Sequence, residues 1–81
     1  MTAASALTLD RIPRGRQVRI RSVAGEGPVT LRLMEMGILP GALVSVVRLA
    51  PLGDPMEVEV TGCRLVMRRM EAGLVSVQDL P

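Results

Sequence analysis

The sequence predicts a mainly β domain: a small closed or half-closed barrel of five short strands, with one short helix inserted after the first. Three observations predict it. Val18, Ile20, Val44, Val46, Val47, Val58, Val60, Val75 and Val77 form a β-branched apolar set that suits strands. Apolar and polar residues alternate in short runs bounded by Gly and Pro. One stretch, 28–36, replaces that alternation with helical spacing.

Taken in order, residues 1–7 read as a loose N-terminus ahead of a single domain over 8–79. Thr8 is placed to cap a short turn that points Leu9 and Ile12 inward. Pro13 and Gly15 mark a turn, and 17–23 is a half-buried strand with Val18 and Ile20 in, Arg19 and Arg21 out. Residues 24–28 break it, and Pro28 suits the first helical position. Val29, Leu33 and Met36 fall at i, i+4 and i+7, so they are expected to face the core. Gly37 is the natural left-handed residue after the helix. Pro40 and Gly41 fit a type II turn.

The strand 42–50 carries apolar residues on both faces, as a central strand does. Residues 51–54 are a turn, and 56–60 is a strand with Met56, Val58 and Val60 in, Glu57 and Glu59 out. Thr61 and Gly62 turn the chain into a strand at 63–67. A helical turn over 68–73 ends on Gly73, and 74–78 is the last strand. With 48% apolar residues and no Phe, Tyr or Trp, the core must be built from Val, Leu, Ile and Met.

Composition excludes several functions. All ten basic residues are arginine, set against eight carboxylates for a formal charge of +2. There is no histidine, hence no histidine pH switch. Without His, Lys or Tyr, Cys63 has no neighbouring base but carboxylates, so an enzyme is not expected. No glycine-rich phosphate loop occurs. One cysteine rules out an internal disulfide and suits a reducing cytoplasm. No signal-peptide pattern and no run near the roughly 20 apolar residues of a span is present, so membrane insertion is not expected.

Three binding chemistries remain open. Asp54, Glu57, Glu59 and Cys63 lie around one hairpin, with Glu57 and Glu59 about 7 Å apart on one strand face. They could hold Fe2+ or Zn2+ weakly, whereas a tight site normally uses His or several thiolates. The plainer alternative is a solvated strand face. Arg19 with Arg21, and Arg64 with Arg68 and Arg69, could make a small-barrel nucleic-acid binder. The balancing carboxylates and the lack of stacking rings argue against nucleic acid. Leu31, Arg32, Leu33 and Met34 form a candidate partner-binding run. Leu31 and Met34 fall off the core face: either a loop partly covers them as a rim of the core, or they are exposed and offer an adaptable apolar contact, while Leu33 and Met36 set the helix against the barrel.

RLMEMGILPG (32–41), VVRLAPLGDPMEVEV (46–60) and CRLVMRRMEAGLVSV (63–77) together resemble the ferrous-iron-transport protein A (FeoA) family. Arg32, Leu33, Met36, Gly37, Pro40 and Gly41 carry the first block. Ala50, Pro51, Leu52, Gly53, Asp54 and Pro55 carry the second, and Leu65, Arg68, Ala72, Val75 and Val77 the third. Met36 stands where the family usually has Leu, and Cys63 where Tyr is common. The resemblance implies an SH3-like barrel and a cytoplasmic accessory protein of bacterial ferrous-iron uptake. It implies the cytosolic part of FeoB, a membrane permease and GTPase, as the partner; the apolar residues left over from the core face point to residues 28–41 as the docking surface. It also implies transition-metal binding, for which this sequence offers only the hairpin carboxylates. A homo-oligomer is compatible with all of this.

Overall fold

The computed structural model describes residues 7–81; residues 1–6 of the expected loose N-terminus lie outside the described residues. The elements are β1 (Leu7–Thr8), a 3-10 turn (Leu9–Arg11), β2 (Gln17–Val23), α1 (Pro28–Glu35), β3 (Leu43–Leu49), β4 (Met56–Val60), β5 (Cys63–Met67), α2 (Arg69–Ala72) and β6 (Val75–Asp79). The strands form one antiparallel sheet in the order β1-β6-β2-β3-β4-β5. All five expected strands form near their expected bounds, and β3 is internal as its two apolar faces require. A sixth, β1, adds Leu7 opposite Val77 and Thr8 opposite Ser76. Two residues carry no period, so pattern alone does not reveal it. Thr8 does not cap the turn; its hydroxyl donates to the Asp10 carboxylate instead.

The sheet is open, with β1 and β5 as its edges. It bends through irregularities between Ile20 and Ser22 on β2 and between Val46 and Arg48 on β3. Such bulges sharpen local twist and let a short strand curl over its own core. Leu9, Ile12, Val18, Ile20, Met56, Val58 and Val60 are buried as expected, and Val44, Val46, Met67, Val75 and Val77 join them. At about 1.5–3 kcal/mol for each such side chain, this aliphatic row is the main source of stability.

Two of the connections carry helices. α1 lies between β2 and β3 in sequence and sends Leu33 into the core. α2 leads from the edge strand β5 back to β6. Arg69 fastens that crossing. Its guanidinium donates to the carbonyls of Gly53 (3.3 Å) and Asp10 (2.7 Å), and its backbone N–H donates to the Asp54 carboxylate (3.0 Å). One residue thus ties the 50–55 loop to the 3-10 turn. Within the loop, Gly53 N–H donates to Ala50 C=O (2.7 Å), with Pro51 at the second turn position, and the Asp54–Pro55 peptide is cis. No helix among the described residues is long and apolar enough to cross a membrane.

The β4–β5 hairpin turns on Thr61 (φ 48°) and Gly62 (φ 84°). Positive φ at both positions marks the mirror-image hairpin turn, which favours Asn-Gly. Thr61 is β-branched and strained there, although its hydroxyl donates to Val60 C=O (2.7 Å). Thr61→Asn is expected to raise stability by about 1 kcal/mol, a Tm gain of roughly 4–8 °C. Thermal unfolding followed by circular dichroism checks it; an unchanged or lower Tm would show that the threonine hydroxyl outweighs the strain.

Candidate functional site

α1 begins with Gly27 as cap and Pro28 at its first position. Pro28 carries no N–H to leave unpaired, and its fixed φ suits a helix start. The helix ends in a Schellman motif. The Ile38 N–H donates to Leu33 C=O (3.0 Å), and the Gly37 N–H to Met34 C=O (3.1 Å), with Gly37 at φ 102°. Leu33 and Ile38, the two apolar residues such a motif brings together, are both fully buried. Pro40 and Gly41 follow as the expected turn, closed by Ala42 N–H on Leu39 C=O (3.0 Å) with Gly41 at φ 93°.

The core-facing stripe differs from the expected one at one position. Val29 is 40% exposed, and Thr30 is buried in its place. The Thr30 hydroxyl donates to Ala24 C=O (2.7 Å), so a polar group is satisfied inside and the helix is rotated to suit. Met36 is half-buried against the core, as expected.

That rotation leaves α1 with two outward flanks. At about 100° per residue, Leu31 and Met34 share one flank, and Val29 and Arg32 share another. Leu31 is 59% exposed and Met34 37% exposed. Leu33, from the same candidate run, is fully buried and cannot touch a partner without unfolding the helix. Arg32 is committed within the fold: its guanidinium pairs with the Glu71 carboxylate and ties α1 to α2. Glu71 also accepts the Arg68 N–H (2.9 Å).

Between the two helices runs an apolar groove of about 440 Å³, lined by Val29, Met70, Leu74, Asp54, Arg68 and Glu71. Sequence reading missed it. α2 is four residues long, too short to show a helical period, so nothing marked Met70 as outward. It is 82% exposed.

On the β4–β5 hairpin, Glu57 meets Arg48 Nε (3.4 Å) and Arg64 Nη1 (3.5 Å), and Glu59 meets Arg64 Nε (3.7 Å). Glu59 pairs across the hairpin with Arg64, and Val60 pairs with Cys63. Since partners share a face and neighbours alternate, Cys63 lies on the face opposite Glu57 and Glu59.

The FeoA domain family matches this chain over residues 7–79. The chain belongs to the FeoA domain family. The sequence is 32% identical over 72 residues to an Fe(2+) transport protein A/Fe(2+) transporter FeoB fusion protein of Porphyromonas gingivalis. That alignment covers 89% of this FeoA chain but 8% of the fusion, so the chain spans under a tenth of that relative. Among solved structures, the FeoA protein of Chlorobium tepidum is 43% identical with a TM-score of 0.86, covering 93% of this chain and 71% of that one. The Stenotrophomonas maltophilia FeoA, solved with zinc and described as a prokaryotic SH3 domain protein, is 31% identical with a TM-score of 0.81, covering 90% and 91%. The expected SH3-like architecture is therefore the family's own.

The zinc in that relative makes a metal centre worth testing against the residues present. This FeoA chain does not bring Asp54, Glu57, Glu59 and Cys63 together. Asp54 accepts the Arg69 N–H, the two glutamates are occupied by guanidiniums, and Cys63 is across the sheet from them. Among the described residues, no group of three or more Cys, Asp or Glu side chains is placed to hold an ion. The donor set does not fit a resident metal.

Proposed function

We propose that residues 8–79 act as a non-enzymatic accessory module of ferrous-iron uptake, docking on the cytosolic part of a FeoB-type membrane GTPase. The carrying observation is the Porphyromonas gingivalis relative, in which a FeoA sequence and FeoB are one polypeptide. Covalent linkage replaces diffusive encounter with a high effective concentration, which is useful where the two parts work in contact. The docking residues are Leu31 and Met34, an exposed apolar pair at i, i+3 on a helix held rigid from its other side. The cargo ion is handled by the permease; this module alters the permease through contact.

Isothermal titration of the purified chain against the cytosolic domain of its cognate FeoB tests the proposal. Leu31→Glu and Met34→Glu are each expected to weaken binding about tenfold or more, as hot-spot substitutions do. Both positions are exposed, so folding should be unaffected. Wild-type affinity in both variants would remove this flank from the interface, and no binding by the wild type would remove the proposal itself.

A further inference from the structure

We infer that the groove between α1 and α2 is a second docking site, and that it takes a protein segment carrying apolar side chains and a carboxylate. The groove combines three apolar residues, Val29, Met70 and Leu74, with three charged ones, Asp54, Arg68 and Glu71. Its volume of about 440 Å³ is that of a cleft able to cover a drug-sized group, about 300–1,000 Å³.

The charged groups on its wall are not equivalent. Asp54 accepts the backbone N–H of Arg69, and Glu71 accepts from both the Arg32 guanidinium and the Arg68 backbone. Both carboxylates are therefore engaged in holding α2. The Arg68 guanidinium is exposed and makes no hydrogen bond or ion pair among the described residues. A guanidinium presents five N–H donors in a planar fork matched to a carboxylate. Glu71 is balanced by Arg32, while Asp54 keeps its charge, so an acidic group is favoured only where it reaches the Arg68 guanidinium; Met70 and Val29 favour apolar side chains beside it. Methionine is unbranched and adaptable, so its exposure in the wall suits a segment that repacks it.

The second site does not rest on the proposed contact with FeoB. Val29 and Met34 project about 140° apart around α1, so the groove and the Leu31–Met34 flank face different directions.

Methyl NMR of the full chain, labelled at Met, Leu and Val, tests it with two capped peptides of equal length. One is built of leucine and glutamate, the other of leucine and lysine. The acidic peptide is expected to shift the Met70 and Leu74 methyls and to bind more tightly than the basic one. Arg68→Gln is expected to lower affinity for the acidic peptide about tenfold and to erase the preference. Met70→Glu is expected to abolish its binding, while Leu31→Glu leaves it unchanged. Equal affinity for the two peptides, an Arg68→Gln variant that binds as wild type does, or shifts centred on Met34 would each overturn the inference.

Discussion

Leu33→Ala is expected to cost about 2–5 kcal/mol of folding stability, the largest single effect from α1. Leu33 is the one fully buried large apolar side chain of that helix. It meets Ile38 where the Schellman motif folds the chain back over it. Removing it deletes buried methyl groups and leaves a cavity that a rigid wall of strands cannot refill. Small domains have total stabilities of about 5–15 kcal/mol, so a large part of the population would unfold at modest denaturant. Urea titration checks this, with Leu31→Ala as comparison. Leu31 is 59% exposed, and surface changes of that kind usually stay within about 0.5 kcal/mol. If the two variants were equally stable, α1 would not be anchored through Leu33, and the exposure of its other flanks would lose its rationale.

How far the sequence disclosed this fold depended on how much periodicity each element could carry. Met56, Val58 and Val60 alternate with glutamates over a whole strand, and their burial follows directly. β1 has two residues and shows no period, although it adds an edge strand to the sheet; α2 forms within the helical turn expected over 68–73, but at four residues it has no period to mark its outward face. On α1 the helix and its end were legible from Pro28 and Gly37, which act through local backbone geometry. Its rotation was not, because the side-chain bond from Thr30 to Ala24 C=O outweighed the apolar character of Val29. The candidate site was affected in the same way. Leu31 and Met34 are exposed, where their spacing left exposure and a loop-covered rim both open, and the α1–α2 groove depends on a contact between elements distant in sequence. The hairpin carboxylates were close in sequence, and strand alternation with cross-strand arginines kept them from Cys63.

Substitution of Gly37 is expected to follow a definite order of cost: Gly37→Val most, Gly37→Ala next and Gly37→Asn least, spanning about 1–3 kcal/mol. The residue sits at φ 102°, a conformation L side chains rarely adopt. Space is not the obstacle. An added Cβ would meet Val60 Cγ1 at 3.7 Å and Thr61 Oγ1 at 3.8 Å, which are ordinary contacts. The penalty is therefore backbone strain, which is greatest for a β-branched residue and smallest for Asn, the residue most at ease with positive φ. A steric penalty would instead make Asn, bulkier than Ala, the worse of the two. Urea denaturation of the three variants separates these accounts, and an Ala variant more stable than the Asn variant would reject strain as the cause. The outcome bears on function as well as folding. Gly37 closes the Schellman motif that fixes where α1 ends and returns Ile38 to the core. A residue that resists this conformation loosens the last helical turn, which carries Met34, before it unfolds the sheet. Gly37→Ala should then weaken partner binding even at temperatures where circular dichroism still reports a folded chain.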